Sequence, residues 1–243
     1  MSKFSITTFT SILYSQTSSG IIEYGKKSRP IALTKAISKR KSENLEKFER
    51  FQKRREIVAN EEKKITFELI FKNEKASFEI KPILKSEMSK NSSFRFGVYD
   101  LGNYFTNSNL NLLQFNAFGV FFLITKPELK WVIEKEKKKV GEYNCLKATT
   151  EIIVNSKGKK RVITAWFTPK IPIAFGPLGY SGLPGLILEL EVHKKIYYVK
   201  KITLNPRKEI VVKKPVKGVL VIEKEYHDIA SDTTKKLKKN KGF

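Results

Sequence analysis

The apolar residues between about positions 34 and 62 recur at intervals near three, four or seven residues, which is the period of a helix with one apolar stripe. These residues are Ile37, Leu45, Phe48, Phe51 and Val58. Lysines, arginines and glutamates share the remaining faces, as on a solvent-exposed helix with i,i+4 ion pairs. The pattern therefore predicts a long amphipathic helix over about residues 34–62, preceded by a short strand at 20–25.

After residue 65 the pattern changes to the two-residue alternation of β-strands. Short polar segments separate the apolar ones, which is typical of antiparallel hairpins. The predicted strands are 66–71, 76–80, 119–125, 131–137, 143–154, 161–167, 186–193 and 196–204. Residues 85–116 are rich in serine and asparagine, and we expect a long loop there with a strand around 94–99.

A helix followed by consecutive hairpins predicts a mainly β fold with α additions, as a strongly curved antiparallel sheet or half-barrel. The N-terminal amphipathic helix is expected to cover the open side of that sheet. Apolar residues at helical spacing predict a C-terminal helix over 223–240, which continues into a basic tail ending at 243. We expect a single β-rich domain over 17–222, and its order of elements resembles half-barrel lipoprotein carriers of the bacterial envelope.

Residues 176–188 follow neither period. This segment contains four glycines and two prolines. Glycine is favoured where φ is positive or where another backbone comes close, and proline fixes φ. The segment also carries Leu183, Leu186 and Ile187, which a solvated linker would not need. It is therefore predicted to be a rigid loop that packs on the core and runs directly into a buried strand.

Residues 182–187 read Gly-Leu-Pro-Gly-Leu-Ile, and other motifs accompany them in a matching order. Through these motifs the chain resembles the GLPGLI family, a group of bacterial proteins of unknown function. The motifs are a first strand at 20–24, a hairpin at 67–71 and 77–78, a tryptophan-led strand at 131–136, a Gly-aromatic-Cys-Lys-Ala element at 141–148, and the segment 164–172. The resemblance covers about residues 17–230 and implies an exported protein, but no activity.

Residues 1–16 resemble a secretory leader. They begin with a basic residue, Lys3, and end in Tyr14-Ser15-Gln16, a step similar to the one that closes the leaders of GLPGLI proteins. The sequence therefore predicts a periplasmic, cell-envelope-associated or secreted protein. No apolar run approaches the roughly 20 residues that a membrane-spanning helix needs, so no transmembrane segment is expected.

The chain is strongly basic, with 48 lysines and arginines against 24 acidic residues and a net charge of +24. Such a charge attracts polyanions such as nucleic acid or anionic envelope polymers. Lysine predominates over arginine, which is the better residue for bidentate phosphate contacts, and glutamates interleave with the lysines, as at 134–136. The composition therefore also fits a solvated surface, and nucleic acid is not the expected partner of an exported protein.

Candidate catalytic residues are few. The chain has one cysteine, Cys145, and two histidines, His193 and His227, which cannot form an intramolecular disulfide or a Cys/His zinc cluster. Glu189 and Glu191 share one face of a strand, where neighbouring lysines are expected to pair with them. No nucleophile, base and orienting group can be named together, so the sequence predicts neither an enzyme nor a cofactor or metal site.

Aromatic residues flank the glycine-proline segment and form the candidate ligand site. They either line the mouth of an apolar cavity or form an aromatic core beneath the loop. The candidate residues are Trp131, Trp166, Phe167, Phe175, Tyr180 and Leu183. The sequence thus predicts a secreted or envelope-associated, non-enzymatic protein that binds or carries an apolar or amphipathic ligand. The alternative is a basic module that binds polyanions through the lysine-rich helix and the C-terminal tail.

Overall fold

The computed structural model describes residues 18–29, 42–82 and 102–240. Within these ranges the chain is mainly β, with one open sheet of 12 strands and two helices. Some predicted features lie outside the described residues, namely the leader at 1–16, the start of the predicted helix at 34–41, the strand around 94–99, and tail residues 241–243.

The sheet incorporates strands from the whole described chain. The strands are β1 (Ser19–Ser28), β2 (Phe67–Lys72), β3 (Lys75–Ile80), β4 (Asn103–Asn107), β5 (Asn111–Ala117), β6 (Val120–Thr125), β7 (Val132–Val140), β8 (Tyr143–Ile153), β9 (Lys160–Thr168), β10 (Leu186–Val192), β11 (Lys195–Leu204) and β12 (Val219–Ile222). The helices are α1 (Leu45–Lys64) and α2 (Glu223–Asn240). The strand order is β12-β6-β5-β4-β3-β2-β1-β11-β10-β9-β8-β7.

The sheet is mixed, and the prediction of a wholly antiparallel sheet is wrong at one edge. All neighbours are antiparallel except β12 and β6, which are parallel. The reason is a crossover, since the chain leaves β11 near the middle of the sheet and travels through residues 205–218 to the far edge. A strand that arrives by a crossover can lie parallel to its neighbour, whereas a tight hairpin cannot produce that arrangement.

Two inner strands, β4 and β5, lie in the segment for which the sequence predicts a loop. Asparagines at both ends of β4 weaken its sequence signal, because asparagine is depleted in strands. The side chains of Tyr104 and Leu113 nevertheless face each other across the two strands and are both buried. Burial of such cross-strand pairs overrides local propensity in this hairpin.

The main core lies on one face of the sheet, and the strands alternate accordingly. In β2, Phe67, Leu69 and Phe71 are buried, and the ring of Phe67 stacks on that of Phe78 at 5.5 Å between centroids. A smaller cluster on the opposite face of β4–β6 contains Phe105, Leu112 and Leu123. Val212 of the crossover packs against this second cluster, so the crossover covers part of the outer face.

The described part of the predicted N-terminal helix is α1, and it does not cover the sheet with an apolar stripe. Leu45 is 53% exposed and Phe51 is 47% exposed. The buried residue of this helix is Glu62, which accepts a hydrogen bond of 2.9 Å from Ser28 Oγ and pairs with Lys195. The predicted role of this helix as an apolar lid is therefore wrong for residues 45–64. Its C-terminal end is instead held to β1 and β11 by the polar contacts of Glu62.

Helix α2 confirms the predicted C-terminal helix and contributes to the core. Tyr226 is buried, and its ring meets the rings of Phe115 and Phe122 edge-on at 6.2 and 5.4 Å. Neither α1 nor α2 combines the length and apolar character that a membrane-spanning helix needs.

Candidate ligand site at the glycine-proline loop

The loop between β9 and β10, residues 169–185, packs into the main hydrophobic core of the sheet. Its large apolar side chains are buried, and they are Ile171, Ile173, Phe175, Leu178, Tyr180 and Leu183. Backbone hydrogen bonds stabilise it, including Gly182 N to Ala174 O at 3.0 Å and Leu186 N to Ile171 O at 2.9 Å. The sequence-based prediction of an ordered loop that runs directly into a buried strand is therefore confirmed in the structure.

The loop connects distant parts of the sheet. Asn111 Nδ2, at the start of β5, donates to Gly179 O at 2.7 Å. Trp131 Nε1, just before the edge strand β7, donates to Ser181 O at 2.8 Å. In the strand order β5 is third and β7 is last, so two distant strands reach one short loop. The sheet must therefore curl around the loop, as a flat sheet could not bring them together.

The six candidate residues of the sequence analysis fall into three environments. Phe167, Phe175, Tyr180 and Leu183 are buried in the main core, with Phe167 fully inaccessible to solvent. Trp131 is half-buried at the edge of the loop. Trp166 is also buried and belongs to the same core cluster, although strand alternation directs it to the opposite face of β9 from Phe167.

Trp166 lies beneath an ion-paired lysine. The ammonium of Lys138 is 4.4 Å from the centroid of the Trp166 ring and forms a 2.5 Å salt bridge with Glu189. On the same strands, Lys147 pairs with both Glu134 and Glu136 at 3.1 and 2.8 Å. Glu189 is therefore paired with a lysine, as the sequence predicted, whereas Glu191 pairs with Arg29 at 3.3 Å.

A lysine that sequence analysis did not single out completes the loop site, which we define as Tyr104, Asn111, Lys126, Trp131 and Tyr180. The ammonium of Lys126 lies 5.8 Å from the ring centroid of Tyr104 and 5.2 Å from that of Tyr180. The rings of Tyr180 and Trp131 meet edge-on at 6.3 Å. In the sequence, Lys126 directly follows the apolar run 119–125. Its position at the end of a predicted strand was the only sequence signal that it could belong to a site.

The electrostatics of the loop site centre on Lys126. Burial lowers the pKa of Lys126, and Glu223 at the start of α2 partly opposes that shift. Among the described residues, no carboxylate forms a salt bridge with its ammonium. Asn111 Oδ1 is also buried, and it finds no hydrogen-bond partner in the described part of the chain. A half-buried cation and an unsatisfied acceptor therefore lie beside an aromatic surface, which suits an anionic polar group with an apolar attachment.

Cys145 is a buried thiol rather than an activated nucleophile. It is 1% exposed, and burial raises its pKa to about 11 although the charge of Lys138 acts in the opposite direction. His193 lies in the turn after β10, at the opposite end of that strand from the loop, where burial and Arg161 lower its pKa. Across the described ranges, no three His, Cys, Asp or Glu side chains cluster as a metal site.

We expect Cys145 of the folded protein to react with a water-soluble disulfide reagent at least roughly a hundredfold more slowly than in guanidinium chloride. Burial leaves little thiolate near neutral pH, and the thiolate is the reactive species. The measurement is the rate of thiol modification with and without denaturant. Fast modification of Cys145 in the native protein would contradict this expectation and make the residue a candidate nucleophile.

Charged residues of the helices, which the polyanion alternative invoked, are partly paired in the structure. Arg50 pairs with Glu46 at 3.7 Å, and Lys64 pairs with Glu61 at 3.1 Å. In α2, Lys235 pairs with Asp232 at 3.0 Å. Apart from the half-buried Glu61, the members of these ion pairs are exposed, as on a solvated surface, and such pairs contribute little stability.

Residues 155–189 match the model of a bacterial family described as a protein of unknown function (Porph_ging). No curated protein matches this chain. Two crystal structures of PNGF-II, in space groups C2 and P21, are similar with TM-scores of 0.44 and 0.43 and 12% sequence identity. Each comparison covers 87% of this chain but only 32% and 33% of PNGF-II, so the chain spans about a third of that protein. The family match runs from the turn after β8 through the loop into β10.

Proposed function

We propose that this chain is a non-enzymatic, secreted or envelope-associated protein of the GLPGLI type that binds an amphipathic ligand at the loop site. The anionic head of the ligand pairs with Lys126, and its apolar part contacts Trp131. The observation that carries the proposal is the ammonium of Lys126, held over two tyrosine rings without a carboxylate partner among the described residues.

The energetics favour a ligand with both characters. A cation removed from water is costly unless it is paired, and the tyrosine rings compensate only part of that cost. An anion at Lys126 would therefore gain a charge-assisted contact in partly desolvated surroundings. The half-buried indole of Trp131 offers an apolar surface next to it, because its polar Nε1 is already engaged by Ser181.

The interior of the curled sheet is not the proposed binding volume. Phe175, Tyr180 and Leu183 of the loop occupy it and are buried. The ligand therefore binds at the rim, between the end of β6 and the start of β7, rather than inside a hollow half-barrel. This location refines the carrier hypothesis, since a ligand at the rim can enter and leave without unfolding the loop.

The proposal is tested with laurate, which has a carboxylate head and an apolar chain, and with dodecyl maltoside as an uncharged counterpart. In a Trp166→Phe background Trp131 is the only tryptophan, so its fluorescence reports on the site. We expect laurate to bind more tightly than the maltoside, and Lys126→Met to weaken laurate binding by about tenfold or more, the worth of a charge-assisted contact.

Lys130→Met is the matched control, because Lys130 is an exposed lysine on the same connecting segment. It removes the same charge from the protein and should leave laurate affinity within about twofold. Equal losses of laurate affinity from Lys126→Met and Lys130→Met would indicate that the net charge of the protein alone attracts laurate. In that case, competition by heparin that weakens steeply with salt would favour the polyanion-binding alternative.

The pH dependence gives an independent readout. Laurate binding requires the charged form of Lys126, and the pKa of this lysine is lowered from 10.5. Affinity is therefore present below the lowered pKa and is lost as pH rises through it, earlier than for an ordinary lysine. Lys126→Arg stays charged at every pH tested, because arginine does not deprotonate there. This substitution should therefore abolish the fall in laurate affinity with rising pH.

A further inference from the structure

The two edges of the open sheet differ in how they resist pairing with another strand. The edge strand β7 carries four lysines, at positions 135, 137, 138 and 139. Lysines on an edge strand oppose the addition of a further strand. The other edge strand, β12, reads Val-Leu-Val-Ile and contains no charged residue. Only the β12 edge therefore lacks this protection.

The β12 edge also exposes apolar surface. Leu220 is 69% exposed, Val219 is 54% exposed and Ile222 is 52% exposed. Phe121 on the adjacent strand β6 is partly exposed, with the ammonium of Lys217 at 4.6 Å from its ring centroid. Contiguous exposed apolar residues beside an open strand edge are characteristic of a protein-interaction surface.

The charges that flank β12 indicate what pairs with it. Lys213, Lys214 and Lys217 precede the strand, while Glu223, Lys224 and Glu225 follow it, so the following segment is net acidic. The strand is therefore basic at its start and acidic at its end. When two copies of such a strand pair antiparallel about Leu220, Lys217 of each copy, just before the strand, lies close to Glu223 of the other, the first residue of α2. A parallel arrangement would instead bring like charges together.

The end of β12 limits the pairing to a short segment. Ile222 N donates to Glu225 Oε2 at 3.0 Å, so this amide is already satisfied where α2 begins. Pairing about Leu220 does not require that amide. It would place two leucines against each other at the centre of a symmetric contact and two Lys–Glu pairs at its rim, which is the self-complementary pattern of a twofold interface.

We propose that β12 is the edge through which two copies of this chain associate, antiparallel about Leu220, so that their sheets become continuous. This inference does not rest on the loop site, although the two are close, because Ile222 lies beside Thr125 and Glu223 acts on the charge of Lys126. Two copies that each carry a charge of +24 repel each other at low salt. Screening weakens this repulsion, so the dimer should become tighter as salt is added.

Sedimentation equilibrium of the full chain tests the association over a range of protein and salt concentrations. We expect a monomer–dimer equilibrium that shifts toward dimer with added sodium chloride. Leu220→Lys should raise the dissociation constant by about tenfold or more, because it removes a leucine that association would bury and places two lysines face to face. Ile133→Lys, on the exposed part of β7, is the control and should leave the dissociation constant unchanged.

A charge exchange tests the antiparallel register. Lys217→Glu and Glu223→Lys should each weaken self-association several-fold, since each places like charges at both rim contacts. An equimolar mixture of the two variants restores both opposite-charge contacts and should dimerise as the unmodified chain does. A monomer at every concentration and salt, or a dimer indifferent to Leu220→Lys, would overturn the proposal. Failure of the mixture to recover would overturn the register.

Discussion

Gly185→Ala is expected to lower the free energy of unfolding by about 3 kcal/mol or more, through a backbone clash and backbone strain. Gly185 has a φ of +159° at the point where the loop enters β10. A Cβ atom there would lie 2.2 Å from the carbonyl oxygen of Thr168 and 3.0 Å from Cα of Pro169. Both neighbours are backbone atoms at the other end of the same loop, so no side-chain rotation can relieve the contact.

Gly182→Ala is the matched control within the same motif. Gly182 also has a positive φ, +91°, but a methyl group added there would have Cδ1 of Trp131 as its nearest neighbour at 3.9 Å, an ordinary contact. The remaining cost is that of holding alanine at a positive φ, which is about 1–2 kcal/mol. Urea unfolding of the two variants measures the difference. Equal destabilisation would mean that the close approach of the loop ends does not constrain this fold.

The sequence was most informative where its signal was local. Alternation predicted the β2–β3 and β8–β9 hairpins, since one face of each strand is buried and the intervening turns are short. The spacing of glycines and prolines likewise predicted an ordered loop within residues 176–188, and the structure has such a loop at 169–185. These features depend on neighbours within a few residues, which is the range over which a sequence pattern can be interpreted.

Features that depend on distant contacts could not be predicted. Strands β4 and β5 have weak local signals, and their buried residues pack against earlier strands, as the ring of Tyr104 does against that of Phe78 of β3 at 6.0 Å. Lys126 acquires its surroundings from Tyr180, which arrives through a loop much later in the chain. Its lowered pKa therefore results from tertiary structure. By contrast, Trp166 and Phe167 lie on opposite faces of β9 as local strand alternation requires, although the sequence analysis placed both in one site.

Phe167→Ala is expected to lower the free energy of unfolding by about 3–5 kcal/mol, the usual cost of replacing a fully buried phenylalanine by alanine. Phe167 is inaccessible to solvent and lies opposite both Leu146 of β8 and Ile187 of β10 in the sheet. Its removal would leave a cavity between the sheet and the loop, since strands on both sides fix the surrounding backbone. Chemical denaturation followed by circular dichroism measures the loss.

Phe51→Ala on α1 provides the comparison, because it makes the same substitution at a residue that is 47% exposed. Its effect should stay within about 0.5 kcal/mol, as for most surface positions. If Phe167 instead lined an open ligand cavity, the two substitutions would have similar small effects on stability, and only Phe167→Ala would impair laurate binding. A large stability loss from Phe167→Ala, with laurate still bound by the folded fraction, would separate the aromatic core from the ligand-binding rim at Lys126 and Trp131.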